Sequence, residues 1–331
     1  MSIRFDEKYQ TFTLNTCHTS YQMKIGNLKY LYHLYYGPRL GGDRDLSYQI
    51  MQYDRGFSGN PYESRDERTF SLDVQPQEFS TQQQGDFRIA SIDVMNGDGS
   101  RCFNGKVRDF TITPGKYRLS DLPTCFATES DTVESLEVIL EDEVTHVQIV
   151  LRYAVFEEAD IITRSASVRN AGKDTIHVKK FMSTCLDFLN GSDKDLLHLP
   201  GRYGQERQVE RQKILHQVSK IASGRGTSSH QQNPFVAVCD RETSEDYGGC
   251  YGMALMYSGN FLAEIELDQY DQLRVQMGIN PKQFDFALAP GEKLEGPEAL
   301  LTYTRKGFTG LSHIYHDFFC GPIIFQPIYL R

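Results

Sequence analysis

Tryptophan is absent from this 331-residue chain, so any stacking on an apolar ligand face falls to its 19 tyrosines and 20 phenylalanines. The seven cysteines, Cys17, Cys102, Cys125, Cys185, Cys239, Cys250 and Cys320, include no CxxC pair. A zinc ribbon or a disulfide frame is therefore not indicated, and reduced thiols in the core or at the surface are expected. No stretch reaches the roughly 18 uninterrupted apolar residues of a membrane span, and MSIRFDEKYQ lacks the apolar run of a signal peptide. A cytoplasmic protein that does not enter a membrane is expected. Positive charge is also short: 35 Lys and Arg against 44 Asp and Glu leave a net charge of −9, the wrong sign for a general nucleic-acid binder. Walker, GxSxG and GxGxxG sequences are missing, and Gly224-Arg225-Gly226 is too short for a dinucleotide fingerprint. The run DVMNGDGS lacks the alternating oxygen ligands and closing glutamate of a calcium loop. No cofactor and no metal is expected.

What the chain does have is period-two alternation. In SLEVILED, Leu136, Val138 and Leu140 face one way and Glu137 and Glu141 the other. In HVQIVLRYAVF, Val147, Ile149, Leu151, Tyr153 and Val155 share one side. TFTLNT alternates Phe12 and Leu14 with threonines. Such runs are strands with one buried face, and turn signals such as Asn104-Gly105 and Pro290-Gly291 separate them. With few helical patterns between the runs, antiparallel sheets packed face to face are predicted, in an all-β chain. A short C-terminal helix is predicted over TGLSHIYHDFF, where Leu311, Ile314, Tyr315 and Phe318 keep helical spacing and Thr309 or Ser312 stands near the start as a cap. The polar run 205–223, with Val209, Leu215, Val218 and Ile221 loosely spaced, is compatible with helix or strand.

Several clusters invite a chemical reading. Ser229 beside His230 suggests a nucleophile and its base, but no elbow or partner acid accompanies them. The favoured reading is that Arg225, Ser229, His230 and Asn233 satisfy backbone groups of a tight loop closed by Pro234. His313, His316 and Asp317 supply two or three potential metal ligands without the remaining ones at motif spacing, and half-buried hydrogen bonding is favoured. Arg202, Arg207, Arg211 and Lys213, mixed with Glu206 and Glu210, read as a solvated face. The segment 44–79 is different. It is long and loop-like, with Asp54, Arg55, Arg65, Asp66 and Arg68 among Gly, Asn and Pro, a composition suited to gripping sugar hydroxyls or to a satisfied surface loop.

The strings YDRGFSGNP (53–61), RTFSLDVQPQEF (68–79), ITRSASVRN (162–170), LPGRYGQER (199–207), SGRGTSSHQQNPF (223–235) and LAPGEKLEGPEALLTYT (288–304) resemble the amino-terminal domain of glycoside hydrolase family 36 α-galactosidases. The resemblance runs in order over about residues 8 to 319 and implies a β-supersandwich of two large antiparallel sheets, galactose mutarotase-like. In that family the domain precedes a (β/α)8 barrel whose two aspartates hydrolyse terminal, non-reducing α-D-galactose, as in melibiose and raffinose, with retention. No barrel pattern follows here, so no catalytic residue is assigned. By position, Asp54 and Arg68 match an aspartate and an arginine that the domain lends to a neighbouring subunit's sugar site, where they hydrogen-bond galactose. The implied partners are an α-galactoside, bound only in the context of a barrel, and other subunits, as a homo-oligomer or with full-length chains. Residues 1–319 are expected to form the domain. The tail 320–331, CGPIIFQPIYLR, is apolar and broken by Pro322 and Pro327, which suggests a truncated or frameshifted product or a deliberate fragment, and the domain is expected to be functional when a barrel is supplied and inactive alone. A stand-alone sugar-binding or assembly module is the alternative.

Overall fold

The computed structural model describes residues 2–42, 44–52, 62–81, 85–120, 122–128 and 131–321. Among them the strands form three sheets, and every ladder between strands is antiparallel. The largest has ten strands, in the order Glu210–Lys213, Lys194–Pro200, Gln232–Asp240, Cys250–Met256, Glu298–Thr304, Ile161–Asn170, Val147–Phe156, Val133–Glu141 and Lys106–Pro114, with Lys293–Glu295 also paired to Ile161–Asn170. A six-stranded sheet orders Val218–Ala222, Phe261–Leu267, Leu273–Ile279, Ile176–Phe188 and Phe286–Leu288, with Ile92–Met95 against Ile176–Phe188. The two large sheets agree with the alternation in the sequence.

Alternation sets the register. Leu136, Val138 and Leu140 stand opposite Tyr153, Leu151 and Ile149, all buried in one core cluster that takes in residues of both large sheets. A one-residue slip would turn this whole set to the other face, so the apolar pattern fixes the pairing. The third sheet is a four-stranded meander, Ile3–Asp6, Thr11–Asn15, Thr19–Ile25 and Leu31–Pro38. It joins the same core through Phe5 and Phe12, whose rings lie 4.5 and 4.8 Å from that of Phe110 on the large sheet's edge strand.

The run 205–223 resolves as strand, split between two sheets: Glu210–Lys213 edges the large one and Val218–Ala222 edges the six-stranded one. Its polarity follows from the edge position, where the strand Glu210–Lys213 is exposed throughout.

The predicted helix spans Gly307–Cys320 and buries Leu311, Tyr315 and Phe318 against the outer face of the large sheet. Phe318 meets Phe156 edge to face, with ring centroids 5.0 Å apart. Neither Thr309 nor Ser312 caps it. The helix starts two residues before Thr309, without a side-chain cap, and the N–H groups of Phe308 and Thr309 donate instead to the carbonyls of Ser244 and Glu245 at 3.1 and 2.8 Å. Gly307 makes that approach possible: its φ is +61°, and a Cβ there would lie 2.2 Å from Ser244 O. The expected domain limit at Phe319 falls within the last turn, which runs one residue further; residues 322–331 of the expected tail lie outside the described residues.

Candidate functional site

The segment singled out for its charges has two halves of opposite character. Arg68 is exposed, whereas every residue from Phe70 to Ser80 is buried although the backbone there forms no strand or helix. Asp54 lies outside the described residues. Buried irregular backbone needs a partner for each polar group, and the partners are buried charged and amide side chains together with the backbone of the strand Leu31–Pro38. Arg88 Nη2 donates to the carbonyls of Leu72 at 3.0 Å and Gln75 at 2.7 Å, and Gln272 Nε2 donates to Val74 O at 3.1 Å. The Gln77 N–H donates to Asp187 Oδ2 at 2.8 Å, the His33 N–H to Pro76 O at 3.1 Å, and the Glu78 N–H to Leu31 O at 3.1 Å. Arg164 reaches the carbonyl of Glu78.

These side chains are themselves held in two buried ionic networks. Arg274 grips Asp187 at two points and also meets Asp86 Oδ2 at 2.8 Å, while Arg88 Nε donates to Asp86 Oδ1 at 2.9 Å. Next to them, the carboxylate of Glu78 pairs with Arg164 at 2.9 Å, accepts from the hydroxyls of Tyr21 and Tyr153 at 2.6 and 2.7 Å, and meets His33 Nδ1 at 3.1 Å. Burial alone would raise the carboxyls of Glu78 and Asp187, but Arg164 and Arg274 override it and hold both below the ordinary range. Both acids are thus ionised, bonded and shut away from solvent, which suits fixing a loop and not exchanging protons.

Apolar packing completes the mount. Phe70 stacks on Tyr30 with centroids 6.3 Å apart, and the two join Tyr32, Leu34, Leu46 and Leu72 in a small cluster of their own. Before it, Thr69 donates from its backbone N–H and its hydroxyl to Glu67 Oε1, at 3.0 and 2.6 Å, forming a tight turn around Arg68. Arg65 lies over the Tyr62 ring at 4.3 Å.

Sugar cleavage with retention requires two carboxyls about 5 Å apart across a hollow, one of them kept protonated. Glu266 and Asp268 are carboxyls pushed up by burial, yet neither is among the described residues lining four cavities of about 800, 500, 400 and 270 Å³. One of these, a groove of about 800 Å³ between the helix, residues 207–209 and the start of the strand Gln232–Asp240, has Glu245 as its lone acid among the described residues. In the next, of about 500 Å³, Glu264 is bound by Lys180 and Lys220 and Asp93 by Arg101.

Ser229 is engaged with backbone. Ser229 Oγ accepts from the Gln231 N–H at 3.2 Å, and Asn233 donates to Leu199 O at 3.1 Å, both serving backbone groups as the loop reading requires. Two details differ from it: Arg225 bonds the Gln231 side chain, and Pro234 sits inside the strand Gln232–Asp240 and closes no loop. His313 and His316 line the groove, where His316 Nδ1 meets Ser312 Oγ at 3.4 Å. Of the basic cluster, Arg211 is more than a solvated charge, since it ties Asp195 at 2.8 Å and the carbonyls of Thr243 and Asp240 at 2.6 and 3.0 Å.

Arg68 and the buried charges Glu78, Asp86, Arg88, Arg164, Asp187 and Arg274 all lie within the stretch that a family profile matches. A sequence profile for the glycosyl hydrolase family 36 N-terminal domain matches residues 29–289. The chain belongs to that family. It is 41% identical over 96% of its length to the bifunctional alpha-galactosidase/sucrose kinase AgaSK of Mediterraneibacter gnavus, and 37% identical over 96% to alpha-galactosidase AgaA of Geobacillus stearothermophilus. The solved galactosidase domain of AgaSK superposes with a TM-score of 0.93 at 40% identity over 96% of this chain. A crystal structure of an AgaA variant in complex with raffinose gives 0.92 at 36% identity over 96%. The family 36 chain spans 34% of the length of AgaSK and 43% of that of AgaA. Helices of the described residues include none long and apolar enough to cross a membrane.

Proposed function

We propose that this family 36 domain is the sugar-orienting and assembly portion of an α-galactosidase whose bond-breaking groups reside in a separate (β/α)8 barrel. Its substrate class is terminal, non-reducing α-D-galactosides such as melibiose and raffinose. Asp54 and Arg68 hydrogen-bond galactose hydroxyls at the active site of a neighbouring subunit, in a homo-oligomer or with full-length subunits, and fix the ring without touching the scissile bond. The working form is cytoplasmic, consistent with seven unpaired cysteines. Residues 1–319 make up the domain and 320–331 a divergent, apolar tail.

One observation carries this reading: Arg68 is exposed two residues before a stretch in which every residue is buried and the backbone is held by buried guanidinium groups. Loops that carry ligand contacts work when their bases are rigid. The test is complementation. The chain is mixed with the remainder of AgaA, expressed separately, and raffinose hydrolysis is followed. Recovered activity whose KM rises at least about tenfold in Arg68→Ala and Asp54→Ala, the loss of roughly 1.4 kcal/mol of binding, supports the assignment. Recovered activity indifferent to both substitutions contradicts it.

A further inference from the structure

Two thiols meet across neighbouring strands of the large sheet. Cys239, at the end of Gln232–Asp240, is the direct register partner of Cys250, at the start of Cys250–Met256. The Asp240 N–H donates to Gly249 O at 3.0 Å. That bond makes 240/249 a hydrogen-bonded pair and 239/250 the adjacent non-hydrogen-bonded one, the class in which opposite Cα atoms approach to about 4.5 Å and side chains lie closest on a common face. A disulfide tolerates Cα separations of about 4.4–6.8 Å. Both cysteines are unpaired and fully buried, in the cluster that holds Leu311, Tyr315 and Phe318 of the helix.

We propose that Cys239 and Cys250 are a latent cross-strand redox pair, converted to a disulfide by a small disulfide oxidant such as oxidised glutathione. The thiolate of one cysteine attacks a sulfur of the oxidant, forming a mixed disulfide and releasing one glutathione. The second thiolate then displaces the other glutathione and closes the Cys239–Cys250 bond. Two protein thiols lose two protons and two electrons, and the oxidant gains them as two molecules of reduced glutathione.

The surroundings set both the order and the consequence. Burial pushes the Cys239 thiol up to about 11 and the Cys250 thiol higher still, so Cys239 is the readier first attacker and both are slow while the fold is closed. Beyond Cys239 in the sheet lie the strand Lys194–Pro200 and then the exposed edge strand Glu210–Lys213, where Arg211 ties Asp195 and the carbonyls of Thr243 and Asp240. The bond would close a loop containing Ser244 and Glu245, whose carbonyls receive the first helical N–H groups, so oxidation locks the platform on which the helix Gly307–Cys320 starts.

The experiment incubates the chain with oxidised glutathione, with and without sub-denaturing urea, then alkylates, digests and identifies linked peptides by mass spectrometry. The expected product joins Cys239 to Cys250, forms faster in urea, and is lost in Cys250→Ser, where Cys239 carries glutathione instead. Exposed Cys17 and Cys320 serve as internal controls for the oxidant. If these two are glutathionylated while Cys239 and Cys250 stay singly alkylated under both conditions, or if Cys239 pairs with another cysteine, the proposal is overturned.

Discussion

Arg274 and Asp187 face each other across adjacent strands of the six-stranded sheet, joined by two parallel hydrogen bonds of 2.8 Å (Nε to Oδ1) and 2.7 Å (Nη2 to Oδ2). Both are almost fully buried, and the second oxygen of Asp187 also accepts the Gln77 N–H of the irregular segment. The pair therefore connects the sheet to the base of the loop that bears Arg68.

Removing one member strands the other as an uncompensated buried charge. Asp187→Ala is expected to destabilise the chain by about 3–5 kcal/mol in urea unfolding and to speed amide exchange at residues 72–78. The exposed pair between Arg101 and Asp93 offers the contrast: Arg101→Ala should change stability by no more than about 1 kcal/mol. Equal effects at the two sites would show that burial of the network contributes nothing.

Stability against pH follows from the same groups. The folded-state values of Glu78 and Asp187 lie below the ordinary carboxyl range, because Arg164 and Arg274 overcome the effect of burial. Their contribution is complete above the unfolded values of about 4 and is lost as pH falls through the folded values. Glu266 has the opposite sign, since burial raises it: its favourable contribution is present below the unfolded value and lost as pH rises through the folded one. Glu266→Gln is therefore expected to be more stable than the parent chain at pH 7, with the difference shrinking toward pH 4. Urea midpoints at the two pH values check this, and a difference that grows on acidification contradicts it.

Gly307→Ala introduces strain at the start of the helix, where φ is +61° and Ser244 O stands 2.2 Å from the added carbon. A loss of about 1–3 kcal/mol is expected, read as a lower thermal midpoint with reduced protection of the helical amides. Phe318→Ala removes a ring that is 1% exposed and packed on Phe156, and about 3–5 kcal/mol should follow. Unchanged midpoints for both would mean that the helix is not docked as described.

The strands were legible because the apolar residues of the main core alternate with polar ones, as at Leu136, Val138 and Leu140. The helix was legible from the spacing of Leu311, Tyr315 and Phe318, but not its start, which depends on carbonyls more than 60 residues earlier in the chain. The run 205–223 stayed ambiguous since edge strands lack an apolar face to give them a period. Least visible was the mount under Arg68, as charged residues are read as solvated by default. A signal did exist: Arg164 falls in phase with Ile162, Ala166 and Val168, inward positions all, and Arg274 and Gln276 alternate with Leu273, Val275 and Met277 in a strand buried on both faces. A charge at an inward position asks for a buried counter-charge, which for Arg164 is Glu78. Long-range pairing of that kind is a property of the fold, and no local spacing encodes it.

The central proposal is that this domain orients a galactoside whose bond is broken by groups in a separate barrel. Purified chain, free of any other glycosidase, incubated with an aryl α-galactoside tests it most directly. No release of the aryl alcohol above the buffer rate is predicted. Turnover that a single carboxylate substitution within residues 1–319 abolishes would contradict the claim.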